Sequence, residues 1–190
     1  MPLLLASASP RRADLLAAAG FVFDVAPVEV DETALPGEPA LDYALRVALA
    51  KARGAAAGCR DSGITVLAAD TVVVAEGEIL GKPVDDADAE RMLKRLSGAV
   101  HTVLTAVVLC RNGRELSAVV ETRVHLLPLS DSEIKWYVAT GEPEGKAGAY
   151  AIQGHAARFI DWIEGSWSNV VGLPIATVYR LLKELGEVVS

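Results

Sequence analysis

Apolar residues along this chain change their period repeatedly, and each change marks an element. A continuous apolar run at 2–6 reads as a strand leading into Ser7-Ala8-Ser9-Pro10. Ser9 suits a helix N-cap and Pro10 the first helical position, so a helix is expected over about 10–19, stopped by Gly20. Phe21 to Ala26 follows as a second strand. Residues 27–38, with Pro27, Pro36, Gly37 and several acids, follow as a loop. Pro39 opens an Ala-rich helix of about 39–57. Residues 64–75 are apolar almost throughout, which predicts a strand buried on both faces.

Further on, Gly81-Lys82-Pro83 reads as a turn and 86–97 as a helix closed by Gly98. Strands at about 100–111 and 115–126 flank Asn112-Gly113, a strong hairpin signal. Ser130 and Glu133 have capping-box spacing and open a helix to about 139. Four glycines and one proline within 141–154 predict a loop held to a specific path. A strand near 157–163 and a helix near 174–186 complete the order. No repeat, low-complexity tract or linker interrupts it, so the fold class is α/β and residues 1–190 are read as one domain with two lobes.

Composition narrows the function classes. The 190 residues can bury a real core, although 31 alanines inflate the 52% apolar fraction. A net charge of −7 argues against coating nucleic acid, yet a few cations can still gather a small anion in an acidic protein. Cys59 and Cys110 have neither Cys-x-x-Cys spacing nor a nearby His pair, which points to reduced thiols. No apolar run approaches the ~20 residues of a membrane span, and the N-terminus lacks a basic leader. A cytoplasmic protein with no nucleic-acid or membrane partner is expected.

Five places hold polar or charged residues that this order does not explain. Ser7, Ser9, Arg11 and Arg12 sit where a strand meets a helix start, a position that favours anions. They are either a capped helix with two solvated arginines or a guanidinium clamp for phosphate. On the 39–57 helix, Asp42, Arg46 and Arg53 form one charged stripe, while Lys51 lies about 140–160° away among Ala44, Val47, Ala48 and Ala55. Its ammonium either snorkels to water or meets a buried anion. Asp70 interrupts the buried strand and needs a metal ion, a cation or backbone N–H groups, because an unpaired buried carboxylate costs several kcal/mol. Asp31 and Glu32 in the loop, and Lys82 in its turn, are unremarkable alone. The three histidines lack ligand spacing, and no nucleophile triad, Walker loop or Gly-x-Gly-x-x-Gly stands out. Cations set against one or two carboxylates describe a Mg²⁺–polyphosphate site, and the residues alone reach no further.

The motifs are more specific. Leu5-Ala6-Ser7-Ala8-Ser9-Pro10-Arg11-Arg12, Val30-Asp31-Glu32-Thr33, Lys51-Ala52, Ala69-Asp70-Thr71-Val72-Val73 and Gly81-Lys82-Pro83 resemble the Maf family of nucleoside-triphosphate pyrophosphatases. Thr140-Gly141-Glu142-Pro143, Lys146-Ala147-Gly148-Ala149-Tyr150, Ile152-Gln153-Gly154 and Asn169-Val170-Val171-Gly172-Leu173-Pro174 continue the resemblance across the chain. It implies a two-lobed mixed-sheet fold similar to inosine-triphosphate pyrophosphatases, with the active-site cleft between lobes, often in homodimers. It also implies hydrolysis of a nucleoside triphosphate to monophosphate and pyrophosphate with Mg²⁺ or Mn²⁺.

On this resemblance Ser7, Ser9, Arg11 and Arg12 cradle the phosphates, and Lys51 and Lys82 neutralise the triphosphate and departing pyrophosphate. Asp70 is general base or metal-linked carboxylate, and Glu32 a second metal ligand. Arg12, Thr71 and Gln153 are similar to the dTTP/UTP branch, whereas the 7-methyl-GTP branch has Trp, Gln and Glu there. An amide at Gln153 can donate and accept, which suits the O4/N3–H edge of uracil or thymine. Modified pyrimidine nucleotides fit the same edge. A nucleotide-binding regulator of septum formation without hydrolysis is the alternative. A phosphomonoesterase is disfavoured because no nucleophile motif is present.

Overall fold

The computed structural model describes residues 2–59 and 63–186. Its elements run β1 (Leu3–Leu5), α1 (Pro10–Ala18), β2 (Phe23–Val25), α2 (Ala40–Gly58), β3 (Thr65–Ala75), β4 (Glu78–Leu80), α3 (Asp86–Leu96), β5 (Val100–Arg111), β6 (Arg114–Leu126), α4 (Asp131–Val138), β7 (Ile160–Glu164), α5 (Trp167–Val171) and α6 (Ile175–Glu184). Short 3₁₀ turns occupy Ala147–Ala149 and His155–Phe159. The strands form one mixed sheet in the order β2-β1-β3-β5-β6-β7, with β4 paired to β3.

Two compact units divide the chain: Met1–Asp70, Thr105–Val120 and Gly172–Ser190 form the first, Thr71–Leu104 and Glu121–Val171 the second. In the first, β1 pairs in parallel with β2 (Leu3 opposite Phe23) and with β3 (Leu5 opposite Leu67). Its core takes Leu3, Leu5 and Leu16, then Val47, Ala48 and Ala52 of α2, with Val66, Leu67, Val178 and Leu182. Alanine dominates the α2 contribution, so little bulk separates that helix from its surroundings. At Gly54 a side chain would meet Val28.

In the second unit β4 and β7 pair antiparallel with their neighbours. β3 meets β4 with Val73 opposite Leu80, and β6 meets β7 with Arg123 opposite Glu164. Its core is heavier in bulk, gathering Leu80, Met92, Leu93, Leu96, Leu126, Ile134, Tyr137, Tyr150 and Phe159.

Most expected elements appear within a residue or two, including the strand at 65–75, which is buried along nearly all its length. Asn112 and Gly113 both adopt positive φ, as a two-residue I′ turn requires. The capping box of Ser130 and Glu133 is formed. Three features differ. β4 has no counterpart among the expected elements, because its turn is Glu76-Gly77, a weaker signal than Asn-Gly, although both residues take positive φ. The five residues of α5 are too few to show a period. The strand expected near 157–163 begins only at Ile160, since 155–159 coils as a 3₁₀ turn.

Candidate active site

The first unit gathers most of the singled-out residues. α2 carries Lys51, and its Nζ reaches Asp70 Oδ1 at 2.8 Å and Glu32 Oε1 at 2.5 Å. This answers why an ammonium sits on an apolar helix face: it meets a buried carboxylate from β3 and a second from the 27–38 loop. Burial pushes the Asp70 carboxyl above its ordinary range. The Lys51 ammonium and the Arg12 charge oppose that push, and Glu32 adds to it.

Glu32 arrives there because α2 holds its loop. Tyr43 Oη donates to the Glu32 carbonyl at 2.8 Å. Arg46 donates to the Thr33 carbonyl at 3.0 Å and grips Glu38 with both Nε and Nη2, at 2.6 and 2.8 Å. Those bonds hold the Glu38 carboxyl down at about 2. Burial and the nearby Asp70 and Glu32 charges push the Tyr43 phenol up to about 12. Tyr43 and Arg46 are not among the site residues expected from the sequence. Arg46 lies on the charged stripe of α2 away from Lys51, and nothing in the helix pattern ties that stripe to the 27–38 loop.

Arg12, buried on α1, donates from Nε to the Gly172 carbonyl at 2.8 Å and from Nη1 to Ser7 Oγ at 3.1 Å. The Ser9 amide also donates to Ser7 Oγ, at 3.2 Å. Ser7 is therefore an acceptor for two donors, and its own proton is what remains to give. Burial lowers the Arg12 pKa, countered by the Asp70 and Glu32 charges, while Arg11 lowers it further. Desolvation also lowers that of the half-buried Arg11. Ser9 takes the N-cap position of α1 as expected, but its side chain makes no capping bond. Two successive guanidiniums thus start a helix whose first turn holds no acid, against the preference of the helix dipole.

Thr71, Lys82 and Gln153 belong to the second unit. Thr71 follows Asp70 on β3 and is half-buried, whereas Lys82 and Gln153 are exposed. The Gly81 carbonyl beside Lys82 accepts from the Gly148 amide at 3.0 Å. Gly148 has φ of 68°, and a Cβ there would press on Val73, so only glycine makes this contact without strain. Asp31, next to Glu32, is exposed and accepts the Thr33 amide at 2.9 Å as a turn-forming side chain.

Among the described residues, no group of three or more His, Cys, Asp or Glu side chains converges as a metal site. Asp70 and Glu32, sharing Lys51, still offer two hard oxygen donors. Such a pair fits Mg²⁺ or Mn²⁺, which characteristically keeps waters and takes its other ligands from substrate phosphates.

The chain is similar to known proteins over nearly its whole length. The profile of the family described as Maf-like protein matches residues 2–185. A dTTP/UTP pyrophosphatase of Anaeromyxobacter dehalogenans strain 2CP-1 is 55% identical over 188 residues, covering 97% of this chain and 94% of that protein. Proteins of the same description from Symbiobacterium thermophilum and Geobacter metallireducens are 52% and 50% identical, over 184 and 186 residues. They cover 97% of this chain, and 94% and 96% of their own length. Among solved structures, the Staphylococcus aureus Ham1 protein has a TM-score of 0.54 at 15% identity, over 97% of this chain and 100% of that one, a likeness of fold. The chain belongs to the Maf family.

Proposed function

We propose that this protein is a nucleoside-triphosphate pyrophosphatase acting on dTTP and UTP, including modified pyrimidine nucleotides. The observation that carries the reading is the buried Asp70 carboxylate, tied through Lys51 to Glu32 and set in the field of Arg12. Relatives at 50–55% identity described as dTTP/UTP pyrophosphatases, and the trio Arg12, Thr71 and Gln153, support the choice of base.

Water attacks the α-phosphorus, a new O–P bond forms, and the bond from that phosphorus to the bridging oxygen of pyrophosphate breaks. Asp70 takes the proton released by the water, and a raised pKa brings it closer to the operating range of a general base. Lys51 keeps Asp70 ionised with one N–H, holds Glu32 with another and has a third to give a phosphate oxygen. Arg11, Arg12, Lys82 and the hydroxyls of Ser7 and Ser9 compensate charge on the phosphates and on the departing pyrophosphate. Asp70 and Glu32 would hold Mg²⁺ or Mn²⁺, which supplies positive charge to the phosphoryl oxygens. Gln153 reads the base edge, with Thr71 beside the carboxylate. We read the whole chain as one functional domain, cytoplasmic and homodimeric. Light scattering checks the last point.

The test is a panel of nucleoside triphosphates with Mg²⁺, pyrophosphate and orthophosphate being quantified separately. Pyrophosphate from dTTP and UTP, and little from 7-methyl-GTP, is expected. Asp70→Asn is expected to lower turnover by roughly 10³-fold with the melting temperature retained, in the range of other lost catalytic groups. Nucleotide binding without product across the panel would replace this reading with that of a regulator.

A further inference from the structure

The loop that carries Gln153 is held from both sides by one pair, the buried Tyr137 and the partly buried Glu142. Tyr137, fully buried in α4, donates its hydroxyl to Glu142 Oε1 at 2.7 Å and accepts the Ala151 amide at 3.2 Å. Glu142 in turn accepts the His155 amide on Oε2 at 2.8 Å and the Ala156 amide on Oε1 at 3.2 Å. Between those anchors the chain turns tightly, with the Gly154 amide on the Ala151 carbonyl at 3.1 Å. Gln153 stands exposed at that turn. Glu142 is itself fixed, since its amide donates to Thr140 Oγ1 at 3.2 Å and that hydroxyl donates to the Tyr137 carbonyl at 2.6 Å.

The fit is close. A Cβ at Gly154 would fall inside the van der Waals envelope of the Glu142 carboxylate, so a side chain there and the carboxylate cannot both keep their places. Burial alone would raise the Glu142 pKa, but the His155, Tyr137 and Ala156 donors outweigh it and hold the carboxyl low. It therefore stays an acceptor-only group at neutral pH, and three donors converge on its two oxygens. A bare loop of this kind would otherwise sample many conformers, and ordering it in advance removes that cost from binding.

We infer that Glu142, working with Tyr137, is a positioning residue for base selection: it fixes where Gln153 stands and so sets discrimination between uracil or thymine and cytosine. This rests on the reading that Gln153 contacts the base edge. Glu142 touches no reacting atom in that scheme, and its effect passes through the loop backbone.

The experiment measures kcat and KM for UTP and CTP in wild type, Gln153→Ala, Glu142→Ala and the double variant. Amide hydrogen exchange at Ala151, His155 and Ala156 is followed alongside. Gln153→Ala is expected to cut the UTP:CTP ratio of kcat/KM about tenfold, the size of one lost base hydrogen bond. Glu142→Ala should cut it by a similar factor, chiefly through KM for UTP, with kcat within about threefold, because base binding is made in ground and transition states alike. Exchange at His155 and Ala156 should quicken, and the double variant should lose no more selectivity than Gln153→Ala alone. A selectivity fall in Gln153→Ala with none in Glu142→Ala, despite quickened exchange, overturns the positioning role alone. An unchanged ratio in Gln153→Ala overturns the base-reading role and this inference with it. Should Glu142→Ala not fold, Glu142→Gln carries the same comparison, since its amide turns a donor toward the backbone donors.

Discussion

The two units differ in whether they bury charge. The first buries charge: Lys51, Asp70 and Arg12 lie in or against an Ala-rich core, and their compensation is mutual. The buried polar side chains described in the second, His101, Thr122 and Asn169, are neutral and hydrogen-bond to neutral groups. His101 Nε2 meets Tyr150 Oη at 2.8 Å, and Asn169 Nδ2 donates to the Val103 carbonyl at 3.1 Å and to Thr122 Oγ1 at 3.0 Å. The charged cluster stays responsive to an incoming polyanion because an ion pair can exchange partners. The neutral network fixes shape, because breaking it leaves buried groups unpaired.

The largest effect should come from removing the cation that the first unit depends on. Lys51→Met leaves Asp70 and Glu32 without their shared partner and is expected to cost roughly 3 kcal/mol at pH 7, besides activity. The sign with pH follows from the raised Asp70 pKa. A carboxyl whose folded pKa lies above its unfolded value contributes stability below about 3.8, and that contribution is lost as pH rises through the folded value. Losing Lys51 raises the folded value further, so the variant should lie closer to wild type at pH 4 than at pH 7. Urea midpoints at the two pH values measure this. An equal deficit at both would show that packing of the lysine stem, not charge, is what α2 needs.

A neutral group in the second unit should respond in the reverse direction. Burial depresses the His101 pKa from 6.5 to about 4, so its stabilising contribution is present above 6.5 and is lost as pH falls toward 4. That difference is on the order of 3 kcal/mol. His101→Gln should therefore narrow its gap to wild type over that window, read from denaturant midpoints. A parallel pH dependence in both proteins would dissolve the contrast between the units.

Smaller effects separate two serines that look alike. Ser130→Ala removes a formed capping box and should cost about 1 kcal/mol. Ser9→Ala removes a hydroxyl that caps nothing and should change stability by under about 0.5 kcal/mol, while raising KM for the triphosphate. Thermal melts and pyrophosphate release on the pair test both statements. A stability loss at Ser9 as large as at Ser130 would assign it to the helix, not to substrate.

The helices and strands with ten or more periodic residues were legible, because amphipathic spacing and buried apolar runs act locally. So was the oddity of Asp70 and Lys51, since each broke the pattern of its own element. Their pairing was not, because nothing within α2 or β3 says which anion meets which cation across 19 positions of sequence. Glu32 shows the same limit more sharply. In the chain it is one acid among several in a loop, and Tyr43 and Arg46 on α2 hold that loop where Glu32 meets Lys51.

Two short elements fell outside the sequence's reach, whereas β1 and β2, equally short, were marked by apolar runs and flanking turn residues. β4 has three residues and α5 five, too few for a period to show. The start of β7 was displaced because Glu142, more than a dozen residues earlier, takes the amides of His155 and Ala156. The sequence by itself determined the order of the long elements, the family and which residues were out of place. Tertiary structure alone decided which of those residues became partners, because a buried charge or amide is satisfied by whatever the fold brings within 3 Å, at any distance along the chain.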